Sequence, residues 1–262
     1  MPRGSIMKHL AVESQRPVGN NVGFIFARNA PVSEDFAMIH VVDKIFDHSI
    51  LSTQTSTIAT VAPLYLYDEA DSTWKHNFND SVFYQLTEHM THTPSPIEIF
   101  DYAYGLLQDP VYRLKFNEYL KRGFPRIPVI NNPGDKNTDG FYVSEDMFRS
   151  YAAAGERLRR LHLMQVKCPA AIEMLPNTPD NLEIGAVKHK NGELSLNAKK
   201  HIIGISDDVW NYRIGGYRVL EKWFKSHKGK TLDIERFTHI ENVVGLLAET
   251  IKIQSELEAL HA

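Results

Sequence analysis

The sequence predicts a mixed α+β fold in which a layer of helices separates two β-rich segments. Short apolar runs bounded by Asn, Pro, Asp and Gly recur in residues 20–67 and 182–214, a pattern typical of strands and tight turns. Apolar residues at helical spacing occupy residues 95–163, and another apolar stripe follows Asp233 to form a long C-terminal helix. No internal repeat is visible. The alternation therefore indicates two lobes, or one body with an inserted helical layer.

The chain is long enough to bury a substantial hydrophobic core. It has 262 residues, of which 43% are hydrophobic and 23% charged, close to the average for globular proteins. Pro2 to Ser5 resembles the remnant of a protease-site linker, so residues 1–7 are interpreted as a tag remnant on a piece of a longer polypeptide. The remaining residues are predicted to form one domain with lobes over about 8–90 and 91–262.

The cellular setting is indicated by one residue type and one absent pattern. The single cysteine, Cys168, excludes an internal disulfide and fits a reducing, cytoplasmic compartment. No apolar run approaches the roughly 18 residues that a membrane-spanning helix needs. We therefore expect no membrane partner.

Individual strands and turns can be placed within the β-rich segments. The apolar runs Val22–Ala27, Phe36–Val42 and Val61–Tyr67 are predicted strands of the first segment. In the second segment, Asn191-Gly192 predicts a hairpin turn, and Val209–Ile214 is predicted as a further strand.

The helical layer has clear start and stop signals. An apolar stripe from Ile97 to Leu107 ends at Asp109, and Pro110 is well placed in the first turn of a second helix. Ser144 caps a third helix, with Glu145 and Asp146 in its first turn. The inner face of that helix is predicted to comprise Phe148, Tyr151, Ala154, Leu158 and Leu161.

Charge is distributed unevenly along the chain. The formal net charge is −3, which argues mildly against a dedicated nucleic-acid binder. Residues 212–231 nevertheless carry a net +5 and residues 111–126 a net +4, whereas residues 232–262 carry a net −4. A polyanion could bind locally at the basic segments, because clustering on one face matters more than the total charge.

No catalytic motif is complete. Gly229-Lys230-Thr231 imitates the end of a phosphate-binding loop, but Phe224 stands where that loop needs glycine, so Gly229 is interpreted as a helix C-cap. His89 and His92 have no third ligand at metal-site spacing. The sequence also lacks the Asn/Asp-Pro-Pro-aromatic segment of adenine methyltransferases and the acid followed by E-x-K of many nucleases. Binding is the function that remains.

One candidate binding segment is a row of short polar side chains between two predicted strands. Ser, Thr and Gln side chains contact base edges and phosphates, although a solvated β-turn would have the same composition. With three neighbours from the same β region, the candidate base-contacting residues are Arg28, Lys44, His48, Ser52, Thr53, Gln54, Thr55, Ser56 and Thr57.

A second candidate is the basic segment near the C-terminus. Gly215 and Gly216 are predicted to open a helix whose free N–H groups favour a phosphate, with Lys222, Lys225 and Lys228 following on one side. Tight helix packing and a solvated helix face are the alternatives. The candidate contacts to the DNA backbone are Tyr212, Arg213, Gly215, Gly216, Tyr217, Arg218, Lys222, Lys225, Lys228, Lys230 and Arg126.

The segment Trp210–Trp223 closely resembles a block near the C-terminus of a known group of enzymes. These are the single-polypeptide bacterial restriction–modification enzymes of the type ISP and type IIG-like group. The resemblance is collinear over about residues 20–230. Further matching blocks are Asn21–Arg28, Val42–Tyr67, Ile99–Arg113, Phe124–Pro128 and Gly155–Leu163.

This resemblance implies a target-recognition domain that binds double-stranded DNA. In the family, methyltransferase and nuclease or helicase modules of the same polypeptide act on the recognised site. Those modules use S-adenosylmethionine and Mg²⁺, and ATP where a helicase is present, whereas no cofactor or metal is implied for this chain. Two departures stand out, since Gln54 replaces a frequent Lys and residues 129–146 are longer than usual. The parent would be a DNA adenine methyltransferase and endonuclease.

Two other functions remain open at this point. The chain could be an independent nuclease of a restriction system, which would show Mg²⁺-dependent cleavage. It could also be a protein–protein docking domain that uses the acidic C-terminal helix. Binding to duplex DNA without cleavage separates the recognition domain from both.

Overall fold

The structure is a computed structural model that describes residues 3–11, 21–27, 38–47, 50–51, 59–88, 90–122, 127–130 and 141–261. Its several small sheets and its helices confirm the predicted mixed α+β class. None of the helices in these ranges is long and apolar enough to cross a membrane.

The chain divides into two compact units, which differ from the lobes suggested by the sequence. Unit 1 contains residues 1–163 and 254–262, and unit 2 contains residues 164–253. The division falls after residue 163 rather than near residue 90, because the helical layer packs directly on the first sheet. The Phe24 ring of that sheet stacks on Phe100 of the layer, with ring centroids 3.9 Å apart.

Unit 1 begins with small antiparallel sheets and short helices. The strands β1, β2 and β3 form a three-stranded sheet in the order β2-β1-β3, and β4 pairs with β5 in a hairpin. These elements span α1 (Arg3–Ala11), β1 (Gly23–Ala27), β2 (Ile39–Val42), β3 (Ala59–Pro63), β4 (Tyr65–Asp68), β5 (Thr73–His76) and α2 (Asp80–Thr87).

Helix α1 is not indicated by the sequence, which suggested a tag remnant over residues 1–7. The helix is tied to the sheets through its buried end. The Asn21 side chain donates to the carbonyls of His9 and Tyr65, and the Tyr67 N–H donates to His9 Nδ1 at 2.9 Å. The end of α1 around His9 is therefore an integrated part of unit 1, whereas the interpretation of residues 1–7 as a tag remnant stays a prediction.

The helical layer consists of α3 (Pro96–Gln108), α4 (Pro110–Arg122) and α5 (Glu145–His162). Ser95 and Glu98 form a capping box at the start of α3, and Ser144 caps α5 as predicted. All five residues of the predicted inner face of α5 are buried. The helices α3 and α5 approach so closely that glycine is required at their contact. A Cβ at Gly105 would lie 2.2 Å from the Tyr151 carbonyl oxygen.

Unit 2 is built on a four-stranded antiparallel sheet in the order β6-β9-β8-β7. Its strands are β6 (Glu173–Leu175), β7 (Lys188–Lys190), β8 (Glu193–Ser195) and β9 (His201–Ile203). Asn191 and Gly192 both have positive φ and connect β7 to β8, which confirms the predicted hairpin turn. The inner face of the sheet contributes Leu194 and Ile202 to a continuous core.

The rest of unit 2 corrects one prediction and confirms another. The predicted strand Val209–Ile214 is wrong over its first residues, because Ser206 caps a short helix there that buries Val209 and Trp210, and only Arg213–Ile214 is a strand. The long C-terminal helix is confirmed, and the unit division assigns its residues to unit 2 as far as Ile253. The elements are α6 (Asp207–Asn211), β10 (Arg213–Ile214), β11 (Tyr217–Arg218), α7 (Val219–Ser226), α8 (Ile234–Glu258) and a 3₁₀ turn (Ala259–His261).

Candidate nucleic-acid interface

The Gly215-Gly216 pair forms a hairpin turn and does not open a helix. Arg213 pairs with Arg218 across the short strands β10 and β11, and Gly215 has a φ of +57°. The Arg213 guanidinium closes the turn by donating to the Gly216 carbonyl at 3.1 Å. A tight antiparallel turn needs the backbone freedom of glycine, so the predicted start of the helix is wrong and α7 begins only at Val219.

The basic side chains of α7 make specific contacts within the unit. Lys222 Nζ lies 3.6 Å from the centroid of the Tyr217 ring, and partial burial lowers the pKa of Lys222. Lys225 pairs with Glu221 at 2.7 Å, and Arg218 lies 3.8 Å from the same carboxylate. One acidic residue thus offsets part of the positive charge on this helix.

Lys228 and Lys230 lie beyond the end of α7, so Lys228 does not share a helix face with Lys222 and Lys225. Gly229 between them has a φ of +79°, but the C-cap of α7 is His227, so the interpretation of Gly229 as the cap of this helix is wrong. Backbone hydrogen bonds between Gly229 and Ile184 at 2.8 Å, and between Ile184 and Lys230 at 2.9 Å, fasten this loop. Both lysine side chains are exposed and form no ion pair with any residue that the structure describes. They are therefore the cations of the predicted basic segment that are most available to an external phosphate.

An aromatic cavity at the C-terminal end of α7 includes His227, the residue before Lys228, and it was not predicted from the sequence. It has a volume of about 270 Å³ and is lined by Trp223, His227, Glu235, Arg236 and His239. The His227 ring stacks on the Trp223 indole at a centroid distance of 4.0 Å, and the His239 ring lies 5.9 Å from it. The four-residue spacing of Trp223 and His227 was the available signal, since it places both rings on one side of α7.

Two cations of the second basic segment, Arg113 and Lys121, are engaged or buried within unit 1. Arg113 donates to the Leu107 carbonyl at 2.5 Å and to Gln108 Oε1 at 2.7 Å. Lys121 is buried, and Lys115 lies 5.7 Å from the centroid of a phenylalanine ring. The net charge of residues 111–126 is therefore a poor measure of what this segment presents to a ligand.

Most of the candidate base-contacting residues lie outside the described residues. Lys44 is the exception, and its exposed side chain follows β2. The structure neither supports nor opposes the remaining candidates Arg28, His48, Ser52, Thr53, Gln54, Thr55, Ser56 and Thr57, nor the backbone candidate Arg126. Within the described part of the chain, no group of three or more His, Cys, Asp or Glu residues is arranged to hold a metal ion.

Comparison with known protein families identifies the class of domain. A family model described as the Type ISP C-terminal specificity domain matches residues 1–255. The chain belongs to this family. No curated protein matches the chain.

Solved structures share the fold at low sequence identity. One is the ATP-dependent Type ISP restriction-modification enzyme LlaBIII bound to DNA, with 19% identity and a TM-score of 0.69 over 91% of this chain and 16% of that one. The DrdV–DNA complex has 23% identity and a TM-score of 0.71 over 97% of this chain and 25% of that one. A nuclease-deletion mutant of the Type ISP enzyme LlaGI, with a DNA substrate mimic, has 20% identity and a TM-score of 0.60 over 90% and 18%. The chain thus spans a quarter or less of each.

Proposed function

We propose that this chain recognises a specific double-stranded DNA sequence for a restriction–modification enzyme. It positions that target for methylation and cleavage by domains outside the chain. The observation that carries this proposal is membership of the specificity-domain family over nearly the whole length. The LlaBIII, DrdV and LlaGI structures, each a complex with DNA or a DNA substrate mimic, add support.

The arrangement of basic residues in unit 2 fits a contact to the DNA backbone. Lys228 and Lys230 project from the fastened loop after α7, and Lys222 and Lys225 lie on the helix before it. Phosphate contacts of this kind fix register without reading sequence. A chain of net charge −3 can therefore bind a polyanion through a local cationic surface.

The parent polypeptide is proposed to be a DNA adenine methyltransferase and endonuclease. Its methyltransferase module would use S-adenosylmethionine, its nuclease module Mg²⁺, and a helicase module ATP. The single cysteine is consistent with action in the cytoplasm. These modules are the expected covalent partners of the specificity domain, alongside the DNA itself.

Selection of bound duplexes from a random pool tests the proposal. We expect the purified chain to enrich one sequence, and a labelled duplex carrying that sequence to bind far more tightly than a scrambled one at fixed salt. Retention of random duplexes with no enrichment would contradict specific recognition. Mg²⁺-dependent cleavage by this chain would instead favour an independent nuclease, and no DNA binding at all would favour a docking domain.

The short polar side chains of Ser52–Thr57, which lie between β2 and β3 in the sequence, are proposed to contact bases. Replacing Gln54 by Ala should relax discrimination at one position of the selected sequence, at a cost of about 1–3 kcal/mol for the correct base. A panel of single-base variants of the target measures the effect. Unchanged discrimination at every position would remove Gln54 from the set of base contacts.

A further inference from the structure

We infer that the cavity beside α7 is a nucleobase-binding site, which accepts one unpaired or extrahelical base of the bound DNA. This cavity, the Trp223 pocket, is lined by Trp223, His227, Glu235, Arg236 and His239. The inference rests on the proposed DNA-recognition function and adds to it a site with a defined ligand chemistry.

The wall of the Trp223 pocket consists of three roughly parallel rings. The His227 and His239 rings are inclined to the Trp223 indole by 19° and 28°. The His227 ring is held in place because its Nδ1 lies 2.8 Å from the Trp223 carbonyl oxygen. The indole packs edge-on against the buried ring of Phe224, which anchors it to the core. A preformed stack of flat surfaces favours a flat aromatic ligand over an aliphatic one.

The polar groups of the pocket supply both hydrogen-bond donors and hydrogen-bond acceptors for the edge of a base. Arg236 supplies guanidinium donors and Glu235 carboxylate acceptors, and both residues lie in the first turn of α8. Arg236 is oriented by an ion pair with Asp233 and by donation to the Thr231 carbonyl at 3.3 Å. Nucleobases carry donors and acceptors along the edge of a stacking face, and this combination matches that chemistry.

The charge around the pocket favours a neutral base over a phosphate as its ligand. The Arg236 guanidinium is already paired with the Asp233 carboxylate, and the Glu235 carboxylate also lines the pocket. A negatively charged phosphate would be repelled here, whereas a neutral base would not. The exposed Lys228 and Lys230 follow His227 within three residues along the chain, which makes them candidates for contacts to the flanking phosphates.

A bulged duplex provides a direct test, because its extra nucleotide is already outside the helix. Three short duplexes of one sequence are compared: fully paired, with a single bulged 2-aminopurine nucleotide, and with a bulged abasic nucleotide. The 2-aminopurine bulge should bind roughly tenfold or more tightly than the abasic bulge, and its fluorescence should be quenched on binding. Both effects should disappear in Trp223→Leu and persist in part in Trp223→Phe, which retains an aromatic face.

Matched variants separate loss of the pocket from loss of the fold. Trp74→Leu removes a half-buried indole of unit 1 and should leave the preference for the base bulge intact. His239→Leu alters an exposed pocket side chain and should weaken the preference even where Trp223→Leu fails to fold. Equal binding of the two bulges by the unaltered chain, with the paired duplex still bound, would overturn the pocket and leave the recognition function standing. Failure to bind any duplex would overturn both.

Discussion

Glu145 shows how a single surface carboxylate can couple the stability of unit 1 to pH. It accepts hydrogen bonds from the Thr91 hydroxyl at 2.6 Å, from the Thr91 N–H at 3.0 Å and from the Arg149 guanidinium at 2.6 Å. These donors lower the pKa of Glu145 from 4.5 to about 2. The hydroxyl of Thr91 contributes most to this shift. Ionised Glu145 is therefore more stable in the folded protein than in the unfolded chain.

We therefore expect Glu145→Gln to reduce the free energy of unfolding at neutral pH. A lowered folded-state pKa gives stability that is present above about 4.5 and is lost as the pH falls towards about 2. The difference between the unaltered chain and the variant, measured by urea unfolding, should narrow over that interval. Glu258→Gln is the control, since Glu258 is exposed and the substitution should show no such narrowing. A gap that is constant with pH would contradict the proposed ionic contribution.

The lysines of unit 2 differ in how freely they can meet a phosphate. Lys228 and Lys230 are exposed, whereas Lys225 is paired with Glu221 and Lys222 lies over Tyr217. Replacing Lys228 and Lys230 together by Ala should reduce the slope of log affinity against log salt by about 0.9 for each lost contact. Specific and random duplexes should weaken equally.

The matched comparison for this prediction is the double variant Lys222→Ala with Lys225→Ala. It should reduce the slope less, because its charges have partners within the chain. Fluorescence anisotropy over a series of salt concentrations measures both slopes. An unchanged slope in both double variants would place the backbone contacts outside this segment, and Arg126 would become the next candidate.

Among the elements, the pair α3 and α5 depends on two glycines for its close contact. A Cβ at Gly105 would lie 2.2 Å from a Tyr151 backbone atom, and one at Gly155 would lie 1.8 Å from the Asp101 carbonyl oxygen. The same interface is fixed by Arg159, whose guanidinium donates to both carboxylate oxygens of Asp101 at 2.6 and 2.8 Å. Close backbone packing and a two-point charged contact together set the register of the helices.

Replacing Gly105 or Gly155 by Ala should destabilise unit 1 despite the higher helix propensity of alanine. The added methyl group must push the helices apart, and overpacking of this kind typically costs about 1–3 kcal/mol or more. Ala153→Gly on the exposed side of α5 is the control and should cost only about 0.5–1 kcal/mol through backbone entropy. Thermal unfolding compares the three variants. An increase in stability with either alanine would contradict the close contact between α3 and α5, because it would mean that a Cβ fits there.

At the scale of the whole molecule, the end of the chain returns to the helical layer of unit 1. His261 Nε2 lies 2.7 Å from Asp109 Oδ2, and the Tyr151 hydroxyl donates to the same oxygen at 2.6 Å. Asp109 is fully buried, and its other oxygen accepts from the Val111 N–H at 2.8 Å. A contact that joins residues 152 positions apart closes a long stretch of chain around a buried carboxylate.

Replacing His261 by Ala should destabilise the protein by about 1–3 kcal/mol, because the buried Asp109 carboxylate loses a hydrogen-bonding partner. Leu260→Ala, at an exposed neighbouring position, should have a small effect. Denaturant midpoints of the two variants test this difference. A midpoint of the His261→Ala variant equal to that of the unaltered chain would mean that this hydrogen bond does not stabilise the folded state.

The sequence alone determined the features that depend on local signals. Ser144 and its first-turn acids specify a helix start, Pro110 specifies a new helix, and Asn191-Gly192 specifies a hairpin turn. Each works because a side chain or a permitted φ acts on the backbone within a few residues. The collinear blocks resembling type ISP enzymes identified the family for a related reason, since they are visible in the linear order of residues.

Only the tertiary structure decided which of several local options was taken. Gly215-Gly216 could open a helix or turn a hairpin, and pairing of Arg213 with Arg218 selected the hairpin. Val209 and Trp210 suited a strand by composition, but the Ser206 cap and the core of unit 2 favoured a helix that buries both. The Trp223 pocket depends on rings from two helices, so no single segment encodes it. Local chemistry offers a few backbone states, and the burial of apolar surface against distant residues selects among them.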